Sequence, residues 1–411
     1  MGCCTNLAHF CKQAGIADQV ETHRTLFFLD ERGNVSRMSA APFPAPLHLA
    51  PSFLYARYLT FGDKIRIARA MLALLSDSSD RPGQSFLDWL GQHGQSDRTI
   101  DRFWGLVLTS ALNESIDRID LRYARQVFLE GFLWNRQAFH VEIPRTPLSE
   151  FYGPALLKSL EQLGIDIRCN ANVGSVRFED HQPVGVTLRT GESIDADIVI
   201  LAVAPHHVAG LVSLDEQERD PRFRQIARLE SSPITSVHLW YDRDVMDQPH
   251  LVGVGRQVQW LFRRPASEGC YVQSVTSASR ELSSHSTGEI LSIIRGEVEE
   301  MLPRAKEAKL LHHRVVTERR ATFSVKPGVD ADRPAASWVG SSLLLAGDYI
   351  QTGWPATMEG AVRGGYLAAH AALHAHSSPP LIPSLPAEAM VRFLSRILSW
   401  GTRPSKRDSQ T

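Results

Sequence analysis

The chain has 411 residues, is 43% hydrophobic and 22% charged, and carries a formal net charge of −1. This is a globular composition, long enough for two or three domains. Near-neutrality excludes a nucleic-acid partner held by phosphate neutralisation.

Asn6–Gly15 reads as a short helix, preceded by Met1-Gly2-Cys3-Cys4, an acylation-like start that Asn6 breaks at the position wanting Ser or Thr. Thr25–Ser39 reads as a hairpin turning at Glu31-Arg32-Gly33-Asn34, and Pro42–Pro51 as loop. From Phe61 to Phe139 apolar residues recur three and four apart. That spacing predicts helices over Lys64–Ser76, Ser85–Gly91, Arg98–Leu112 and Arg122–Arg136. Ser85 and Asp88 form a capping pattern before an apolar run. Phe103, Trp104, Phe128, Phe132, Trp134 and Phe139 admit two readings, the core of a helical bundle or the wall of an apolar tunnel for a lipid.

Leu148–Leu163 predicts another helix. Strands follow at Ile165–Cys169, Val173–Phe178, Val184–Arg189 and Ala196–Val203. The last is unbroken and apolar, as in a buried strand of a parallel or mixed sheet. Thr235–Trp240, Val258–Phe262 and Tyr271–Ser277 alternate like antiparallel strands, Glu289–Met301 reads as a helix and Ala308–Glu318 as a strand. After a linker at Ser377–Pro386, Ala387–Trp400 repeats apolar residues with Arg392, Arg396 and Lys406 beside them. This tail is either a surface-bound membrane helix or a helix docked on the protein body. No apolar run is long enough to span a bilayer.

The segment with the most chemistry is Ser341–Leu367, SSLLLAGDYIQTGWPATMEGAVRGGYL. A short apolar strand, Leu343–Ala346, runs into a Gly347-Asp348 turn and a Gly/Pro-broken loop, and a helix starts near Pro355-Ala356-Thr357. The turn glycine permits close backbone approach. The helix start offers unpaired N–H groups and a positive dipole end, suited to phosphate or another polar cofactor group.

Other motifs carry less. Gly253-Val254-Gly255 is the only G-x-G, and it lies between strand-like segments, as a hairpin turn does. His206-His207 has no metal-ligand spacing, and His312-His313 falls in a strand. Five cysteines (Cys3, Cys4, Cys11, Cys169 and Cys270) form no C-x-x-C pair; an odd count without a signal peptide predicts a reducing, cytoplasmic setting. No nucleophile-elbow pattern supports hydrolysis. In Phe139–Tyr152, FHVEIPRTPLSEFY, His140, Glu142 and Arg145 are candidates to reach a pocket; an ordinary loop before the next helix reads much the same.

Several segments together resemble one family. GCCTNLAHFCKQAGI, FHVEIPRTPLSEFYGPALLKSLEQLGIDIRCNANVGSV, GVTLRTGESIDADIVILAVAP, ERRATFSVKPGVDADRPAASW and LLLAGDYIQTGWPATMEGAVRGGYLAA look like squalene-associated, FAD-dependent desaturase-like enzymes. These are the bacterial hydroxysqualene dehydroxylases of the flavin amine oxidase and phytoene desaturase superfamily. The resemblance runs to about His374; FHVEIPRTPLSE and RRATFSVKPG are its more specific parts.

The resemblance implies an α/β, Rossmann-like FAD-binding fold of the amine oxidase type with a discontinuous α+β substrate domain. Residues 1–40, 164–215 and 341–376 would form the cofactor part, 41–163 and 216–340 the substrate part, and 377–411 the linker and tail. It implies FAD as cofactor and reductive removal of the hydroxyl of hydroxysqualene, an isoprenoid lipid, giving squalene for hopanoid synthesis. Carotenoid desaturation or amine oxidation is the alternative, and an inactive remnant or lipid-binding module the third reading. Gly347 and Asp348 would meet the ribityl-pyrophosphate region, Trp354, Pro355, Thr357 and Met358 the flavin ring, and the Val173 backbone the adenine. Outside the resemblance, the tail's own apolar and basic residues put any peripheral membrane contact at residues 387–400. Family members also begin with a strand–GxGxxG–helix unit. Here Met1-Gly2-Cys3-Cys4 falls on the segment that follows it, so the expectation is a start placed downstream of that unit or a truncated gene.

Overall fold

The computed structural model describes residues 1–76, 83–265, 269–373 and 381–401. The first part of the expected linker and Lys406 lie outside them.

Its largest element is a seven-stranded sheet in the order Leu310–Phe323, Ser231–Tyr241, Cys270–Ser277, Trp260–Pro265, His250–Gly253, Thr25–Leu29, Val35–Ser39. All neighbours are antiparallel except His250–Gly253 with Thr25–Leu29. The Ser231–Tyr241 strand alternates half-buried and buried residues, the period-two pattern of a sheet packed on one face. Val237, Leu239 and Tyr241 pack under the Thr287–Met301 helix through Ile290, Ile294 and Val298. That helix opens with a capping box between Ser286 and Glu289. The Thr25–Ser39 hairpin forms as predicted, but it completes this sheet. Residues 25–39 therefore depart from the expected 1–40 cofactor segment, because the backbone of Phe28 and Leu29 pairs with Val252 and Gly253.

A helical layer covers the other part of the core: Ala50–Tyr55, Phe61–Ser76, Phe86–Gln92, Gly105–Leu112 and Leu121–Phe128, with π-helical turns at Ile100–Trp104 and Leu129–Leu133. Ser85 caps the Phe86–Gln92 helix by accepting from the Asp88 N–H, as its pattern predicts. Trp104, Phe128 and Phe139 are fully buried, and Trp104 and Phe128 meet edge to face at 4.9 Å between ring centres. Trp104 and Phe128 pack on Phe86 and Phe103 as core of this layer, and Phe139 packs on His48 and His140, while Phe103, Phe132 and Trp134 are half-buried. Glu114 fastens this layer to the sheet: its buried carboxylate takes both guanidinium arms of Arg280 and the Ser324 hydroxyl.

A two-stranded parallel sheet pairs Leu343–Leu345 with Val199–Leu201. The predicted Ala196–Val203 strand is thus shorter than its apolar run, since its partner offers only three residues. It is also only half buried, with Ile200 and Val203 exposed by 42% and 36%. Two more expectations change. Leu148–Leu163 is two helices, Leu148–Phe151 and Pro154–Gln162, because Pro154 supplies no N–H and bars Gly153 from helical geometry. Ile165–Cys169 forms no strand, having no paired neighbour among the described residues. Val173–Glu179, Gln182–Leu188 and Ser193–Asp195 make a three-stranded antiparallel sheet. No described helix is long and apolar enough to cross a membrane.

Candidate cofactor site

Leu343–Leu345 is fully buried, and Ala346 extends its ladder by donating to the Leu201 carbonyl at 3.1 Å. Gly347 then turns at φ +147°, a backbone conformation that a side chain would strain. A Cβ here would also sit 2.6 Å from the Tyr349 ring. The Asp348 carboxyl is held above the usual carboxylate range, chiefly by burial, with Arg333 opposing the shift.

Arg333 fixes the loop that follows. Buried between Phe323 and Tyr123, its guanidinium donates to the Asp348 carbonyl at 2.9 Å, to the Ile350 carbonyl and to Thr352 Oγ1 at 2.9 Å. The same side chain reaches the Tyr123 hydroxyl. Arg363 completes the clamp: its Nε donates to the Thr352 carbonyl at 2.9 Å and its guanidinium lies over Trp354 at 5.4 Å.

The helix Met358–Ala372 starts where the sequence places it. Thr357 is its N-cap, with Oγ1 accepting from the Gly360 N–H at 3.1 Å and donating to the Pro355 carbonyl at 3.2 Å. Gly364 lets this helix lie directly on the turn, since a Cβ there would stand 2.2 Å from the Gly347 carbonyl oxygen. Met358 is exposed, and its sulfur accepts from the Tyr152 hydroxyl at 3.1 Å. Glu359 faces inward and binds the first turn of the Thr5–Gln13 helix.

Trp354 is buried in a small apolar cluster with Cys3 and Ala138. Ala138 brings the 139–152 segment to this cluster. His140 is half-buried, with its pKa lowered by burial and by the charge of Arg24. Glu142 pairs across a short antiparallel ladder with Thr22. Arg145 is exposed at the far end of that strand, so the structure does not gather the three as one group. Val173 opens the three-stranded sheet, separate from the Gly347 turn.

Glu130 was not singled out by sequence. It lies on the Leu129–Leu133 π-turn, where Gln126 Nε2 donates at 3.1 Å both to its Oε1 and to the Gly353 carbonyl. Its Oε2 is buried without a hydrogen-bond partner. π-Turns inside helices concentrate at functional positions, but nothing in a short apolar run announces one. Arg333 and Glu359 were equally unmarked, because their partners lie on other segments of the chain, and so was Arg363, whose partners Thr352 and Trp354 lie across an irregular loop with no fixed helical spacing.

The residues fit a flavin cofactor. A sharp glycine turn, a helix start capped by Thr357 and a half-buried acid with raised pKa meet within one loop. Comparison with known proteins agrees. The family described as flavin containing amine oxidoreductase matches residues 2–373. The chain is 25% identical over 398 residues to a tomato (Solanum lycopersicum) chloroplastic/chromoplastic 15-cis-phytoene desaturase, covering 90% of this chain and 67% of that one. It is 24% identical over 401 residues to the 15-cis-phytoene desaturase of Synechococcus elongatus, covering 90% and 83%. Among solved structures, a Methanosarcina mazei oxidoreductase has a TM-score of 0.65 at 17% identity, covering 87% of this chain and 83% of that one. A putrescine oxidase bound to putrescine has a TM-score of 0.60 at 16% identity, covering 90% and 86%.

Proposed function

Because this chain belongs to the flavin containing amine oxidoreductase family, and is thereby an FAD-dependent oxidoreductase of α/β fold, we propose that its substrate is a long isoprenoid hydrocarbon. The observation that carries this reading is the similarity of nine-tenths of the chain to phytoene desaturases. It favours carotenoid desaturation, the reading that sequence resemblance ranked second. Reductive dehydroxylation of hydroxysqualene is kept as the second reading because of the FHVEIPRTPLSE and RRATFSVKPG segments.

When bound, FAD supplies hydride exchange with a substrate carbon. Gly347, Asp348, Trp354, Pro355, Thr357 and Met358 are the residues to hold it. The start of the Met358–Ala372 helix favours negative charge beside it. Arg333 and Arg363 keep the loop in one conformation, so that little reorganisation is needed on binding. Trp354, Cys3 and Ala138 exclude water from one side. Glu130 is the proton-holding group best placed near Gly353, with one carboxylate oxygen uncommitted. In the dehydroxylation reading it protonates the departing hydroxyl.

The test is to supply the purified chain with FAD, record flavin absorbance, and assay phytoene, hydroxysqualene and a primary amine separately. Desaturated products from phytoene carry the first reading, and squalene from hydroxysqualene carries the second. Turnover of the amine alone, or no bound flavin, overturns both.

A further inference from the structure

The Phe61–Ser76 helix turns Asp63, Ile67, Ala70 and Leu74 into the core. On its opposite side Phe61, Ile65 and Leu72 form an apolar ridge in the open, Phe61 exposed by 75%. Arg66 and Arg69 run beside that ridge, and no carboxylate pairs with either among the described residues. Leu54 and Tyr55, both exposed, continue it; the Leu54 carbonyl is tied to Lys64 Nζ at 2.6 Å.

The Ala389–Gly401 helix repeats the arrangement. Val391 is buried and packs with Leu75 of the first helix, so the two helices lie together. Phe393 and Ile397 stand exposed one turn apart, with Arg392 and Arg396 on the adjoining line. Across residues 50–76 and 389–401 the only acidic residue is Asp63, which is buried against Thr60 and Arg98. Among the described residues, these two helical segments therefore expose apolar and basic side chains and no acid of their own. Exposed apolar residues on a monomer are ordinarily scattered, and a contiguous set with cations alongside marks an interaction surface.

We propose that this two-helix face docks on the surface of an anionic lipid bilayer, with the apolar ridges in the headgroup boundary and the arginines on lipid phosphates. Charge complementarity selects this occupant: the described residues of the two helices expose arginines and no acid, and an anionic leaflet attracts those cations. Arg66 and Arg69 also line a cleft of about 480 Å³ with Gln92 and His93, large enough for a headgroup phosphate. The face extends the expected tail contact. The tail docks on the body through Val391, as one of its two sequence readings had it, and leaves Phe393 and Ile397 exposed. The proposal stands on the surface alone, so vesicle binding is separable from any failure of the substrate reading.

The test is flotation of the full chain with vesicles of phosphatidylcholine alone and of phosphatidylcholine mixed with phosphatidylglycerol. The expected result is binding to the mixed vesicles that weakens as salt is raised. Arg66→Ser/Arg69→Ser should weaken it, by roughly fivefold per removed charge. Phe61→Ser/Ile65→Ser should reduce it with the charge intact. Leu163→Ser, at an exposed apolar site elsewhere, is the control that should leave it unchanged. All these positions are exposed, and a thermal melt checks that each variant folds. Absence of binding to the mixed vesicles, or binding that these variants leave intact, overturns the proposal. So does concentration-dependent self-association that Ile65→Ser abolishes while vesicle binding persists, and so does competition by inorganic phosphate that removes all binding.

Discussion

The Glu359 carboxylate, on the first turn of one helix, closes the N-terminus of another by accepting from Asn6. Oε1 takes the Asn6 side-chain amide at 2.7 Å and its backbone N–H at 3.3 Å, while Oε2 takes the Leu7 N–H at 2.7 Å. A buried carboxylate thus meets the positive end of the Thr5–Gln13 helix. Asn6 in turn accepts from the Ile382 N–H and donates to its carbonyl. The start of the chain, the Met358–Ala372 helix and the segment before the tail are therefore one hydrogen-bonded unit.

Glu359→Ala should destabilise the protein by about 2–4 kcal/mol, because it leaves buried donors unpaired. Glu359→Gln keeps one acceptor and should lose less. Urea unfolding midpoints of the two variants check the order, and equal losses would show that the single oxygen kept by glutamine contributes nothing and that the charge and second oxygen carry the whole effect.

Gly364→Ala and Gly365→Ala should differ in sign. A methyl at Gly364 would stand 2.2 Å from one Gly347 backbone atom and 2.8 Å from another, neither of which can move without breaking the turn. The expected cost is about 3 kcal/mol or more, with loss of flavin retention. At Gly365 a methyl meets nothing within 4 Å. There the gain in helix propensity should stabilise by up to about 1 kcal/mol. Thermal midpoints and flavin content of the two variants decide it.

Arg333→Lys should behave as a loss rather than a conservative change. A single ammonium cannot span the Asp348 and Ile350 carbonyls, Thr352 and Tyr123 together. A loss of about 2–4 kcal/mol and weaker FAD binding are expected. Unaltered FAD affinity in a folded variant would mean that the loop does not depend on this clamp.

Stability should fall on the acid side through two buried histidines. Burial lowers the pKa of His48 from 6.5 to about 4, and that of His250 likewise. Both are fully buried, and neither ring nitrogen of His48 has a partner. A depressed folded-state pKa means that the unfolded chain takes up protons first as pH drops. The stabilisation is thus complete above about 6.5 and lost as pH falls toward about 4. After solvent screening the effect is about 1–2 kcal/mol per ring. His48→Leu should flatten the slope of thermal midpoint against pH in this window, and an unchanged slope would remove His48 from the account.

Glu130→Gln keeps the shape and the bond from Gln126 but cannot release a proton. If Glu130 is the proton-holding group, kcat should fall by about 10²–10⁴ with flavin content unchanged. An unchanged kcat would assign the residue to packing alone.

Much of this was legible locally. The Ser85 cap, the helix start near Pro355-Ala356-Thr357, the Thr25–Ser39 hairpin and the alternating Thr235–Trp240 strand each rest on interactions within a few residues or on burial periodicity. The apolar run at Ala196–Val203 misled because strand length is set by the partner, and Leu343–Leu345 pairs with only three of its residues. Gly153-Pro154 broke a helix whose spacing alone looked continuous.

The sequence by itself determined where Gly347 turns and where the Met358–Ala372 helix begins, because glycine geometry and a threonine cap act on their own neighbours. Only the tertiary structure decided what holds that turn in place. Arg333 lies 15 residues from Asp348 in sequence, and Asn6 lies 353 from Glu359. No local pattern encodes such partners. They are selected when burial removes water and leaves each charge and backbone dipole to find its complement inside the protein.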